Sequence, residues 1–131
     1  MANESAKRYY QDMVHFLRKD FTFADDGLTL TVGVIPAGSV VLKPLSGVNV
    51  STVFNAGSTN VADWGPSTDS GTDLWATDLA LGTLGFVPLD EAVSFLVTVD
   101  TTVQIAIDLT GTAATTGEGQ AIVAYIPPNL T

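Results

Sequence analysis

The stretch Leu28-Thr29-Leu30-Thr31-Val32-Gly33-Val34 places leucine or valine at every second position, with threonine or glycine between. A period of two marks a strand with one buried face. The same period returns at Thr102-Val103-Gln104-Ile105-Ala106-Ile107-Asp108-Leu109, where Val103, Ile105, Ile107 and Leu109 form the apolar set. Around these two, shorter strands are expected at 39–44, 48–54, 60–64, 74–80, 84–87, 93–99 and 119–126. Turn residues separate them: Pro36-Ala37-Gly38, Ser46-Gly47, Gly57-Ser58, Gly65-Pro66, Gly71, Gly82, Asp100-Thr101 and Gly117-Glu118-Gly119. The runs 93–99 and 102–109 read as a tight hairpin. Short strands at this spacing predict an all-β fold, an antiparallel β-sandwich or jelly roll. No second helical stretch is present from which to build βαβ units.

Upstream of this body the pattern changes. Tyr9, Met13, Phe16 and Leu17 fall at helical spacing, with Tyr10 and Val14 beside them, so residues 4–20 read as a short N-terminal α-helix. Asn3 or Ser5 would cap its start, and Arg18 and Lys19 would sit at its C-terminal end, where cations are favoured. The expected organisation is a helical arm over 1–26 and a sandwich domain over 27–131. The apolar stripe of the arm must cover something: the body, another subunit or a partner.

Length and composition fit one domain with a real core. There are 131 residues, 46% of them hydrophobic and only 15% charged, against roughly 25% charged in ordinary domains. Such a surface is covered by Thr, Ser, Asn and Gly. The net charge is −9. Four of the five basic residues, Lys7, Arg8, Arg18 and Lys19, lie in the first 19 positions; Lys43 is the fifth. The acidic body would repel nucleic acid and anionic membranes. No cysteine is present, which excludes disulfides, thiolate nucleophiles and Cys-based metal sites. The start of the chain holds no apolar run of the kind a secretory leader needs, and no stretch is long and apolar enough to span a bilayer. Without a secretory route the sequons at Asn3, Asn49 and Asn129 are chance matches.

Chemistry-bearing patterns are few. His15, the single histidine, has no Gly-x-Ser-x-Gly elbow to serve. Asp25-Asp26 and Asp90-Glu91 are adjacent acids in turns, whereas a glycosidase holds two carboxylates across a cleft. Asp69-Ser70-Gly71-Thr72-Asp73 offers oxygen ligands for Ca²⁺ but lacks the EF-hand spacing and its closing Glu. No phosphate cradle occurs. No catalytic residue, metal site or cofactor is therefore assigned, and the chain is not read as an enzyme. Trp64 and Trp75 flank a long loop and could stack on sugar rings; packing in the core or at a subunit contact is the more ordinary place for indoles. The arm's basic residues are balanced by Glu4, Asp12 and Asp20, which favours a protein partner over nucleic acid. The residues marked for partner contact are Tyr9, Tyr10, Met13, Phe16, Leu17, Trp64 and Trp75, with the loops Gly65–Asp73 and Gly111–Gly119 as further candidates.

Four segments in order carry a resemblance: Ile35-Pro36-Ala37-Gly38; Val48-Asn49-Val50 through Phe54-Asn55-Ala56-Gly57; Gly82-Thr83-Leu84-Gly85-Phe86; and Gly117-Glu118-Gly119-Gln120-Ala121-Ile122-Val123-Ala124-Tyr125-Ile126. Over residues 28–127 this resembles the small β-sandwich or jelly-roll structural proteins of tailed-bacteriophage virions, which include head decoration (cement) proteins, head-fibre bases and some tail components. The resemblance implies a virion structural protein assembled in a host cytoplasm. Its partners would be the major capsid protein or other virion proteins, and it would self-associate as a homotrimer that buries its strand edges. No nucleic-acid or membrane partner is expected. The alternatives are a tail or fibre component and a carbohydrate-binding module.

Overall fold

A computed structural model describes residues 13–68, 72–91 and 96–128. Within them nine strands form two antiparallel sheets: β1 (His15–Thr22), β2 (Thr29–Ile35), β3 (Val40–Val41), β4 (Gly47–Thr52), β5 (Thr59–Pro66), β6 (Ala76–Ala80), β7 (Gly85–Pro88), β8 (Thr101–Thr110) and β9 (Glu118–Ile126). One sheet runs β1-β9-β4-β7, with β3 also paired to β9; the other runs β2-β8-β5-β6. With β3 set aside, each successive strand crosses to the other sheet except β5 to β6, which is the winding of an eight-stranded jelly roll. The expected all-β sandwich is the fold observed.

The core lies between the sheets. Val103, Ile105, Ile107 and Leu109 of β8 all point into it, as their alternation requires, and meet Trp64, Phe21, Phe54 and Ile35. The alternation in β2 is broken midway. Pairing with β8 shifts register between Thr31 and Gly33, and the extra residue reverses which side chains face inward. Leu30 and Val32 point inward before the bulge and Ile35 after it, while Val34 stands 52% exposed. The inward set Leu28, Leu30, Val32, Val34 expected from strict alternation is thus corrected at both ends, because Leu28 precedes the strand and is half exposed.

Two further expectations are overturned. The C-terminal half of the proposed helix over 4–20 is strand β1; residues 4–12 lie outside the described residues. β1 pairs along its whole length with β9, from His15↔Tyr125 to Thr22↔Glu118. Phe16 and Leu17, neighbours on a helical stripe, face opposite sides of the strand, and Phe21 is buried at 1% exposure. A continuous ladder with a buried phenylalanine outweighs a helical propensity carried by spacing alone. The hairpin of 93–99 with 102–109 is also absent: β8 pairs instead with β2 and β5. Residues 92–95 lie outside the described residues, and Leu96 makes an isolated bridge to Val40.

Where β3 and β4 meet beside β9 there is a gap. β4 covers residues 118–122 of β9 and β3 covers 125–126. The backbone of Ala124 faces the gap, and Leu42 N–H donates to its carbonyl at 2.8 Å. The Ser46 hydroxyl oxygen accepts from the Ala124 N–H at 3.0 Å and donates to Leu42 carbonyl at 2.8 Å. One buried serine side chain thereby replaces a missing strand residue.

Candidate contact surface

The residues that could bear chemistry are occupied in holding loops. Asp25 accepts from Thr22 N–H at 2.9 Å and caps the short 3-10 turn Phe23–Asp25. Asp26 accepts from Leu109 N–H at 2.9 Å, Asp90 from Thr77 N–H at 3.2 Å and Asp100 from Ala37 N–H at 2.9 Å. His15 lies on β1 with its ring 5.6 Å from that of Tyr125. Among the described residues no group of His, Cys, Asp or Glu is placed to hold a metal ion, and no helix is long and apolar enough to cross a membrane. Residues 69–71 of the calcium candidate lie outside the described residues.

The loop Gly111–Gly119 is fastened to the β4–β5 connection. Asn55 accepts through Oδ1 from Thr115 and Thr116 N–H at 2.8 and 3.0 Å and donates through Nδ2 to Thr115 Oγ1 at 2.9 Å. Thr116 Oγ1 donates to Val53 carbonyl at 2.9 Å.

Of the residues marked for partner contact, Tyr9 and Tyr10 lie outside the described residues. Met13 and Phe16 are about half exposed, and Leu17 is turned inward against Gly33. Trp64 and Trp75 belong to the core; Trp64 is fully buried between Ile105 and Ala76. Trp64 has no face open to a sugar ring, while Trp75, though 6% exposed, borders the groove between Pro66, Leu74, Leu96 and Thr102. Met13 and Phe16, the exposed described residues of the expected arm, are not brought together with the indoles.

What the fold does assemble is the outer face of the β1-β9-β4-β7 sheet. Pleat alternation and register set Phe16, Arg18 and Asp20 of β1 beside Ala124, Ile122 and Gln120 of β9. Gly47 and Asn49 of β4 come next, then Pro88 and Phe86 of β7. Register puts Arg18, Ile122, Gly47 and Pro88 in one row across the sheet and Asp20, Gln120, Asn49 and Phe86 in the next; Ala124 and Gly47 are buried, while Phe16 and Phe86, each nearly half exposed, stand on opposite edges of the face two rows apart. The Arg18 guanidinium lies 5.6 Å from the centre of the Phe16 ring, and the Gln120 amide donates to Asp20 at 2.9 Å. Leu45, in the 3-10 turn Lys43–Leu45, stands half exposed beside this face. Sequence reading missed Arg18, Phe86 and Leu45 as contact residues. Phe86 could have been found, since a lone aromatic after Gly82-Thr83-Leu84-Gly85 on a strand this short has little depth in which to hide.

The opposite sheet differs. Its outer face carries Thr29, Thr31, Thr102, Gln104 and Ala106, with Asp63 and Asp108. Asp63 accepts from Asp78 N–H at 2.8 Å. Partial burial pushes its carboxyl above the ordinary carboxylate range; that hydrogen bond pulls the other way, while Asp78, Asp73 and Asp108 raise it further.

No protein-family model matches the chain, and no curated protein matches it. Solved structures do. A chain of the cyanophage Pam1 capsid asymmetric unit superposes with a TM-score of 0.59 at 22% identity, over 88% of this chain and 84% of that one. A chain of the acidic stable capsid structure of Helicobacter pylori bacteriophage KHP30 does so with a TM-score of 0.67 at 15% identity, over 91% of each. This chain shares its jelly-roll fold, nearly end to end, with chains of two bacteriophage capsid structures.

Proposed function

We propose that the chain is a structural protein of a bacteriophage virion and, within it, a capsid decoration (cement) protein held on the shell by contacts with the major capsid protein. The observation that carries this is the near full-length likeness to chains of two phage capsids. It is supported by Phe16 and Phe86, exposed on one outer sheet face, and by a low-charge surface, both suited to protein contact rather than to chemistry. Many weak contacts repeated around a symmetric shell add through avidity. In this function the arm ahead of β1, with Tyr9 and Tyr10, reaches the shell together with Met13 and Phe16, and the protein assembles onto virions in the host cytoplasm.

The test is reconstitution. Particles stripped of this chain are incubated with the full chain or with a version lacking residues 1–12. The deletion stops there because β1 begins at His15. Decoration predicts a copy number that scales with shell subunits, and loss of binding in the shortened chain. A few copies per particle would assign the protein to a tail or fibre instead. Full occupancy by the shortened chain would remove the arm's role.

A further inference from the structure

A row of exposed apolar side chains crosses one end of the β1-β9-β4-β7 sheet. Val14 stands one step before the first rung of β1 on β9, His15↔Tyr125, and so comes level with Ile126. Ile126 pairs with Val40, and Val40 bridges to Leu96. Partners across a ladder share a side of the sheet. Val14, Val40 and Leu96 are 38%, 38% and 53% exposed, and Ile126 is partly so. At about 4.8 Å between neighbouring strands the row is roughly 14 Å wide. Leu96, at its far end, is also the lip of a groove of about 420 Å³ lined by Pro66, Leu74, Trp75, Val99 and Asp100. Leu74 and Val99 are 58% and 65% exposed. Among the described residues that line the groove, Asp100 carries a charge and no base is present.

We propose that in the free chain residues 1–12 fold back across this row and set Tyr9 and Tyr10 of the same copy at the mouth of the groove. The segment begins where the row begins, since Met13 precedes Val14. From Val14 back to Tyr10 an extended chain spans at most about 14 Å, which matches the width of the row. The two tyrosines bring aromatic area to the exposed Leu74, Leu96 and Val99, and a tyrosine at a rim keeps its hydroxyl wet while its ring is covered. Lys7 and Arg8 follow, of opposite sign to Asp100. Tethering gives the segment an effective concentration of mM order at the groove. This docking belongs to the free chain and does not rest on the virion reading; a shell that takes up the arm must first displace it.

Limited trypsin digestion of the full chain tests it. Lys7 and Arg8 are the only bases ahead of Arg18, and cleavage after them requires the arm to leave the groove. An arm docked about nine-tenths of the time is cut about tenfold more slowly than a free peptide of residues 1–12. Leu96→Asp restores the peptide rate, and so does Tyr9→Ser with Tyr10→Ser, compared with a peptide of its own sequence. Phe86→Asp, on the same sheet face but at its other end, leaves the protection intact. Thermal melts confirm folding; the tyrosine pair lies ahead of β1 and decides the matter if Leu96→Asp does not fold. Protection is the same at every protein concentration. A wild type cut at the peptide rate, protection that survives the Leu96 and tyrosine variants, or protection lost in Phe86→Asp overturns the proposal. So does protection that rises with concentration, since the arm would then lie on another copy. None of these readings involves a shell, so a failed reconstitution would sink the virion function and leave the docked arm standing.

Discussion

Replacing Ser46 by alanine removes one oxygen atom from a place where two strands fail to meet. In the native chain that oxygen accepts from Ala124 N–H at 3.0 Å and donates to Leu42 carbonyl at 2.8 Å, and both Ser46 and Ala124 are fully buried. A methyl group leaves the Ala124 N–H inside the protein with nothing to bond. A buried orphan donor costs about 1–3 kcal/mol. An unfolding entropy of about 2.1 cal/mol/K per residue gives roughly 0.28 kcal/mol/K for this chain, so a loss near 2 kcal/mol lowers Tm by roughly 7 °C. Ser39 provides the control. It is equally buried, yet its hydroxyl has no partner, while its backbone keeps bonds from Val97 N–H at 3.0 Å and to Pro36 carbonyl at 3.2 Å. Ser39→Ala relieves an unpaired hydroxyl and leaves Tm unchanged or raises it by a few degrees, about 1 kcal/mol at most. Differential scanning calorimetry on the two variants reads both numbers. Equal shifts of the same sign, or a Ser46→Ala variant within about 1 °C of wild type, would refute the assignment of Ser46 as a strand substitute.

Three more outcomes are expected. Phe21→Ala, which empties a 1%-exposed site on β1, should cost about 3–5 kcal/mol in urea unfolding, where a detachable arm would cost almost nothing. Gly47→Ala should lower stability by at least about 1–3 kcal/mol and expose β7 to hydrogen exchange, because a β-carbon there would collide with the Val87 carbonyl and the Pro88 backbone. The last concerns pH. Asp63 has its folded pKa raised, so the folded chain takes up that proton before the unfolded chain does. Its contribution to stability therefore grows as pH falls through the folded value towards the unfolded one. Asp63→Asn keeps an oxygen to accept from Asp78 N–H and should flatten that part of the stability–pH curve; an unchanged slope would mean the carboxyl is not strained.

The strands were legible where a strand answers to its own residues. Thr102–Leu109 shows strict alternation because β8 is central and must bury one whole face, and its four apolar residues all point inward. Leu28–Val34 was legible as a strand but not in phase, since nothing in the local sequence announces that β2 takes an extra residue against β8. His15–Thr22 was misread because Phe16, Leu17 and Phe21 satisfy helical spacing as well as a strand; only the partner, more than ninety residues away at 118–125, decides between them. The hairpin failed for the same reason: chain neighbours are the natural guess for β8, while a jelly roll gives it β2 and β5. The contact surface was least legible of all. Phe16 was found, but the outer face is made by residues from four strands, and which of them share a row across it has no signature in one dimension.

Strand β9 joins β1 on one side and both β3 and β4 on the other, yet it leaves the ribosome after all eight of the others. Until it emerges, three strands that belong to one sheet have no common neighbour, and that half of the molecule cannot close. A nascent or prematurely terminated chain would expose the flank of β1 that the finished protein hides, the surface on which misassembly begins. With so many pairings between distant parts of the chain, folding should take milliseconds to seconds rather than microseconds and should not finish before β9 has emerged.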